Sequence, residues 1–208
     1  GVTNGVAFAP SANQTYTVTG TDGNGCQNTA TKAITVYTLP VVTANSSTTQ
    51  VCSGGSVTLT GGGANTYGWT GGVTNGVAFA PSSTQTYTVT GTDVNGCQNT
   101  ATKIITVNTT PNVSASVSST AVCTGGTVML SGSGASTYTW SGGITNGVAF
   151  APASTNTYSL SGSSSAGCTN TNVVTVTVVV NALPVVGAGT STTSVCSGFS
   201  ITLNGSGA

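Results

Sequence analysis

Six cysteines, two aspartates and two lysines are the residues of this 208-residue chain best equipped for chemistry, and there is no histidine. Cys26, Cys52, Cys97, Cys123, Cys168 and Cys196 nowhere form a CxxC pair, so they lack both the spacing and the histidine companions of a zinc site. Their natural chemistry is oxidation to disulfides in an oxidising compartment. Asp22 and Asp93 stand in TDGNG and TDVNG, where a calcium role is conceivable. Calcium, however, takes about six to eight oxygens, several of them carboxylate, and Asp-x-Asn-Gly is a turn signal in its own right. The turn is therefore the expectation at both positions, and no metal or other cofactor is expected. No nucleophile can be matched with a base, which points away from an enzyme.

Only 2% of the residues are charged and the formal net charge is zero, against about a quarter charged in ordinary soluble domains. Nucleic-acid binding needs a basic footprint, and two lysines do not make one. Polybasic attachment to anionic lipid fails for the same reason. The longest apolar run, Val176–Val180 interrupted by Thr177, is far shorter than the ~20 residues of a membrane-spanning helix. Neither nucleic-acid binding nor membrane insertion is expected. Polarity comes instead from Thr, Ser and Asn, with Gly at 30 positions.

An internal repeat organises these residues. GVTNGVAFAP at 1–10 recurs at 72–81, and GITNGVAFAP follows at 143–152, both after a step of 71 residues. Cys26, Cys97 and Cys168 keep that step, as do Cys52 and Cys123, while Cys196 follows Cys123 by 73. Between 1–37 and 72–108 only five positions differ. Leu39-Pro40, Thr110-Pro111 and Leu183-Pro184 mark boundaries. The expected organisation is the C-terminal part of one repeat at 1–38, complete repeats at 39–110 and 111–182, and the N-terminal part of a further repeat at 183–208. With no initiator Met and no signal peptide at Gly1, the chain is expected to be an internal piece of a longer protein.

Each repeat predicts strands throughout. Val41–Ala44 and the stretch around Val51 form a split first strand, and Ser56–Thr60 alternates polar with apolar. Tyr67-Gly68-Trp69 is a third strand, and Asn75-Gly76 predicts a two-residue hairpin turn. Thr86–Thr92 places Tyr87, Val89 and Gly91 on one face and four threonines on the other. Thr100–Val107 closes the unit. No helix longer than a turn is expected. The fold class is all-β: tandem immunoglobulin-like β-sandwich repeats of about 71 residues. Trp69, Trp140, Tyr87 and Tyr158 are the expected core aromatics, with the two tryptophans filling the core and not stacking on sugars. The threonine rows, Thr15 to Thr21 and Thr86 to Thr92, suit a polar β face, although such regular arrays also invite comparison with ice-binding surfaces. Val173–Val180 is expected to be prone to edge pairing.

The segments VCSGGSVTLTGGGANTYGWT and TQTYTVTGTDVNGCQNTATKIITV resemble the Ig-like and PKD-like tandem repeats of giant secreted Bacteroidota proteins. That resemblance implies type IX export and a place in surface adhesins, including gliding-motility adhesins. It extends over both complete and both partial repeats. The third repeat departs from the pattern, with Ser164 at the Asp93 position and Val174 at the Lys103 position.

Two disulfide patterns remain open. Within repeats the pairs are Cys52–Cys97 and Cys123–Cys168. In a sandwich, however, the early cysteine and the late one lie at opposite poles, separated by a strand of ~20 Å, whereas bridged Cα atoms sit within about 7 Å. Across a junction the favoured pair is Cys52–Cys168, with every other cysteine, Cys26 and Cys196 among them, paired to a repeat outside the chain. Functionally, a structural stalk or fibre segment at a bacterial surface is expected, displaying a distal adhesive region, with neighbouring repeats of the same chain as its partners. The alternatives are an extracellular filament in which copies associate laterally, and an adhesin module binding glycan, cellulose or ice. Because charge is almost absent, unfolding midpoints should change little between about pH 5 and 8 or with added salt; thermal melts across both variables check this, and a strong shift would contradict it.

Overall fold

The computed structural model describes residues 1–207, and the chain divides into two compact units, Gly1–Val107 and Asn108–Ala208. The first begins with an antiparallel hairpin, β1 (Gln14–Thr21) and β2 (Gln27–Ile34), in the register Tyr16↔Lys32 and Val18↔Ala30. A sandwich of two sheets follows. Its strands are β3 (Thr43–Ser46), β4 (Gln50–Cys52), β5 (Val57–Gly62), β6 (Thr66–Trp69), β7 (Ala78–Phe79), β8 (Gln85–Thr92) and β9 (Gln98–Asn108). One sheet runs β3-β5-β7 and the other β4-β9-β8-β6.

The split first strand takes this form because the chain changes sheets between β3 and β4. Ser47 manages the change: its N–H donates to the Thr58 carbonyl, and its Oγ accepts from the Thr58 N–H, both at 3.0 Å. Period-two alternation then selects the buried face. Val57 and Leu59 on β5 meet Trp69, Tyr87, Val89 and Ile105 of the opposite sheet, with Val51 of β4 beside them. On β8 the intervening threonines face outward. Close packing demands glycine at Gly61, where an added Cβ would lie 2.3 Å from the Tyr67 ring. Gly63 has φ +85°, and a Cβ there would lie 1.8 Å from the Val41 carbonyl oxygen.

The second unit repeats the order with β10 (Ser114–Val117), β11 (Ala121–Cys123), β12 (Val128–Ser133), β13 (Thr137–Trp140), β14 (Ala149–Phe150), β15 (Asn156–Ser163) and β16 (Val174–Asn181). Its sheets are β10-β12-β14 and β11-β16-β15-β13, the β11–β16 pairing being parallel. Val113, Val128, Leu130, Trp140, Tyr158, Leu160 and Val178 form its core. A second hairpin, β17 (Gly187–Thr190) and β18 (Leu203–Ser206), completes the unit. The fold is thus an all-β sandwich with an immunoglobulin-like strand arrangement. Among the described residues the helical elements are single 3-10 turns at Thr70–Gly72 and Ser141–Gly143, and no helix is long and apolar enough to cross a membrane.

One local expectation is corrected. Asn75-Gly76 is a turn, with the Val77 N–H reaching the Thr74 carbonyl, but it closes no hairpin. The strands on either side join different sheets, β6 pairing with β8 and β7 with β5. For Val173–Val180 the edge expectation holds for part of the run: β15 pairs with Val174–Val178 on one side, while β11 pairs only with Val179–Asn181 on the other, which leaves Val174–Val178 without a second strand among the described residues.

The isolated hairpins expose what the sandwiches bury. Val18 is 61% exposed where its repeat equivalent Val89 is 0%, and Leu203 is 74% exposed where Leu59 is 0%. Accordingly Leu59→Ala should lower the native-state hydrogen-exchange stability of β5 by about 2–5 kcal/mol. Leu203→Ala should change the exchange of β17 and β18 by less than about 0.5 kcal/mol.

Candidate functional site

The cysteines divide into two classes. Cys52 and Cys168 are disulfide-bonded, whereas Cys26, Cys97, Cys123 and Cys196 carry free thiols. The intra-repeat pairs Cys52–Cys97 and Cys123–Cys168 are therefore not made, and each sandwich explains why. In the second unit Cys123 lies opposite Asn181, at the C-terminal end of β16. Cys168 precedes the N-terminal end of the same eight-residue strand, about 23 Å away along the strand at 3.3 Å per residue. In the first unit the Thr106 N–H donates to the Thr49 carbonyl, which sets β4 beside the C-terminal end of β9. Cys97 sits at the opposite end of that eleven-residue strand.

Each late cysteine is held by its turn. Asp93 Oδ1 accepts from the Asn95 and Cys97 N–H groups, both at 2.8 Å, while the Asp93 N–H donates to the Cys97 carbonyl at 3.0 Å. Asp22 does the same for Asn24 and Cys26. In the third repeat the Ser164 Oγ takes over, accepting from the Cys168 N–H at 3.2 Å. The aspartates thus spend their acceptor oxygen on backbone amides, which fits the turn role. No cluster of three metal-ligating side chains occurs among the described residues.

The tryptophans are internal. Trp69 is 8% exposed and Trp140 3%, which leaves no ring face for a sugar. Each indole N–H donates to an asparagine that the sequence presented only as a turn residue. Asn75 Oδ1 accepts from Trp69 Nε1 at 3.0 Å and from the Gly61 N–H at 2.7 Å, while the Gly76 N–H donates to the Leu59 carbonyl at 2.8 Å. Asn146 repeats this with Trp140 at 3.1 Å and Gly132 at 2.6 Å. The available signal was the constant interval of six residues from Trp to Asn-Gly in both complete repeats. Beside it, the Tyr67 hydroxyl donates to the Ala64 carbonyl and accepts from the Ala64 N–H, closing the loop before β6. Tyr87 packs edge-on against Phe79 at 5.3 Å, and Tyr158 likewise against Phe150.

The outer face of the larger sheet carries the threonine rows. Thr88 stands opposite Thr102 and Thr90 opposite Thr100, but Thr86 faces Ile104 and Thr92 faces Gln98. In the second unit the hydroxyls of Thr157 and Thr177 bond to each other at 2.8 Å. A wide groove lined by Val2, Phe8, Tyr16, Val18 and Ile34 lies against the β1–β2 hairpin. Its equivalents Phe79, Tyr87, Val89 and Ile105 lie in or against the core of the complete sandwich, so the groove is an uncovered core face and not a cleft shaped for a substrate.

No family model matches the sequence, and no curated protein matches it. Among solved structures the chain is similar to a Ca2+-stabilized adhesin that helps an Antarctic bacterium reach out and bind ice. The identity is 19% and the TM-score 0.37, over 86% of this chain and 60% of that one. It is also similar to a 1.5-MDa bacterial ice-binding adhesin studied for host cell surface retention, at 19% identity and a TM-score of 0.32, over 81% of this chain and 74% of that one.

The asparagine lock is directly testable. Asn75→Ala strands two partly buried donors, at about 1–3 kcal/mol each, and should lower the urea midpoint of the first unit. Asn75→Asp keeps an acceptor oxygen and should lose less. Equal losses in the two variants would show that the hydrogen bonds are not what matters.

Proposed function

We propose that this chain is a structural segment of a bacterial extracellular or cell-surface protein, a stalk whose near-identical modules hold an adhesive region at a distance. One observation carries the reading. Only Cys52 and Cys168 are bonded, and they belong to different repeats, while the cysteines that would satisfy them within their own repeats are thiols. In this proposal they bond to each other, so that one repeat is tied to the next independently of the backbone linker. The complete repeats at 39–110 and 111–182 are then rigid modules, and the bridge restricts bending at the junction between them. Disulfide use supports an oxidising compartment. The resemblance to Bacteroidota surface repeats supplies the finer expectation of type IX export.

The stalk reading needs no catalytic group and no ligand, which suits a chain whose aspartates hold turns and whose Trp69, Trp140, Tyr67, Tyr87, Tyr138 and Tyr158 hold loops and core. A second reading is a filament of laterally associated copies. It draws on the uncharged outer face of the larger sheet, because a surface without charge lacks the repulsion that keeps proteins apart.

Peptide mapping under non-reducing conditions tests the junction. Recovery of Cys52 joined to Cys168 is expected, and Cys52 joined to Cys97 would overturn the proposal. Small-angle scattering should show a broader distance distribution for Cys168→Ser than for the parent chain. Electron microscopy separates the two readings, a single string of beads favouring the stalk and a thick regular bundle the filament.

A further inference from the structure

Asn-Gly occurs at residues 4, 24, 75, 95, 146 and 204, and the fold treats these chemically identical dipeptides differently. We propose that the chain modifies itself at Asn24 and Asn95 by loss of side-chain ammonia, and that the tryptophan lock exempts Asn75 and Asn146. In the reaction the backbone nitrogen of the following glycine attacks the asparagine Cγ. A new N–Cγ bond forms, the Cγ–Nδ2 bond breaks, and ammonia leaves with the proton from the glycine amide. Water then opens the cyclic imide at either carbonyl, giving aspartate or isoaspartate. No oxidant or cofactor takes part.

The step needs a carboxamide free to turn over the next peptide bond, and it is slowed further where the glycine N–H is held by a short bond. At Asn75 both are occupied. Its Oδ1 holds the Gly61 and Trp69 N–H groups, and the Gly76 N–H is bonded to the Leu59 carbonyl. Asn146 is held in the same way by Gly132 and Trp140, with the Gly147 N–H on the Leu130 carbonyl. Attack at either site requires local opening of the sandwich.

Asn24 and Asn95 are exposed in the aspartate turns, with their carboxamides unbonded. Their glycine N–H groups make only the longer turn bonds of 3.1 and 3.2 Å to Asp22 and Asp93. The third repeat has Ala166-Gly167 at this point, so the turn that presents the bonded Cys168 contains no asparagine to react. Asn204, inside β18, is held by strand pairing and belongs to neither class.

Each conversion adds a negative charge to a chain whose formal net charge is zero. At Asn95 it places a second carboxylate two residues from Asp93.

The test holds the folded, oxidised chain at mildly alkaline pH and follows it by isoelectric focusing and by mass mapping of peptic peptides. The copies are distinguishable, because Gly23 stands where Val94 does, and Ala12-Asn13 where Ser83-Thr84 do. Asn24 and Asn95 should convert on the order of tenfold or more faster than Asn75 and Asn146, with the gap closing in urea. Trp69→Phe should raise the rate at Asn75 and leave Asn95 unchanged, and Asn95→Ala should remove one acidic species. Conversion of Asn75 at the Asn95 rate in the folded chain would overturn the proposal. So would intact Asn24 and Asn95 after an interval that converts them in urea.

Discussion

Two short sheets in each sandwich face one another across a core of only seven buried residues, and hydrophobic burial of that kind is non-directional. The directional element is a single amide oxygen. Asn75 Oδ1 takes the indole N–H of Trp69, from the four-stranded sheet, and the Gly61 N–H, from the three-stranded one. Both sheets are thereby referred to one atom on the connection between them. The indole can then be buried without an unsatisfied donor, which would otherwise cost about 1–3 kcal/mol. Register, the glycine pocket beneath Tyr67 and the edge contact of Tyr87 with Phe79 all presuppose that the sheets are held at this spacing.

A chain almost without charge must obtain its specificity from such neutral hydrogen bonds. Tyr67 closes one loop on Ala64, Ser47 manages the change of sheet, and Asp93 spends its carboxylate on turn amides. None of these relies on long-range attraction, which salt would screen. The cost lies outside the core, where threonine rows and exposed valines form surfaces with nothing to repel a neighbour.

The strand positions were legible in the sequence because alternation records which face is buried. Thr86–Thr92 announced its own orientation, and the sheet change after β3 was visible as a split. The Asn75 turn was misassigned for a physical reason. Local pattern states that a segment turns or is apolar, but not which strands lie beside it. A two-residue hairpin requires its flanking strands to pair with each other, and here they join different sheets. A valine-rich run is an edge or an interior strand according to neighbours that lie tens of residues away.

Sequence by itself determined the composition of the surface, the period of the repeat, the all-β class and the residues able to react. These follow from side-chain type and from spacing along a chain whose period-two alternation is local. Tertiary structure alone decided which of the chemically identical groups are engaged. Cys52 is bonded and Cys97, in the same repeat, is not. Asn75 holds a tryptophan, whereas Asn95, also followed by glycine, leaves its carboxamide unbonded. The physical reason is the same in both cases. A bond needs its partner within a few ångströms, and the packing of the strands, not the identity of the residue, decides which groups meet.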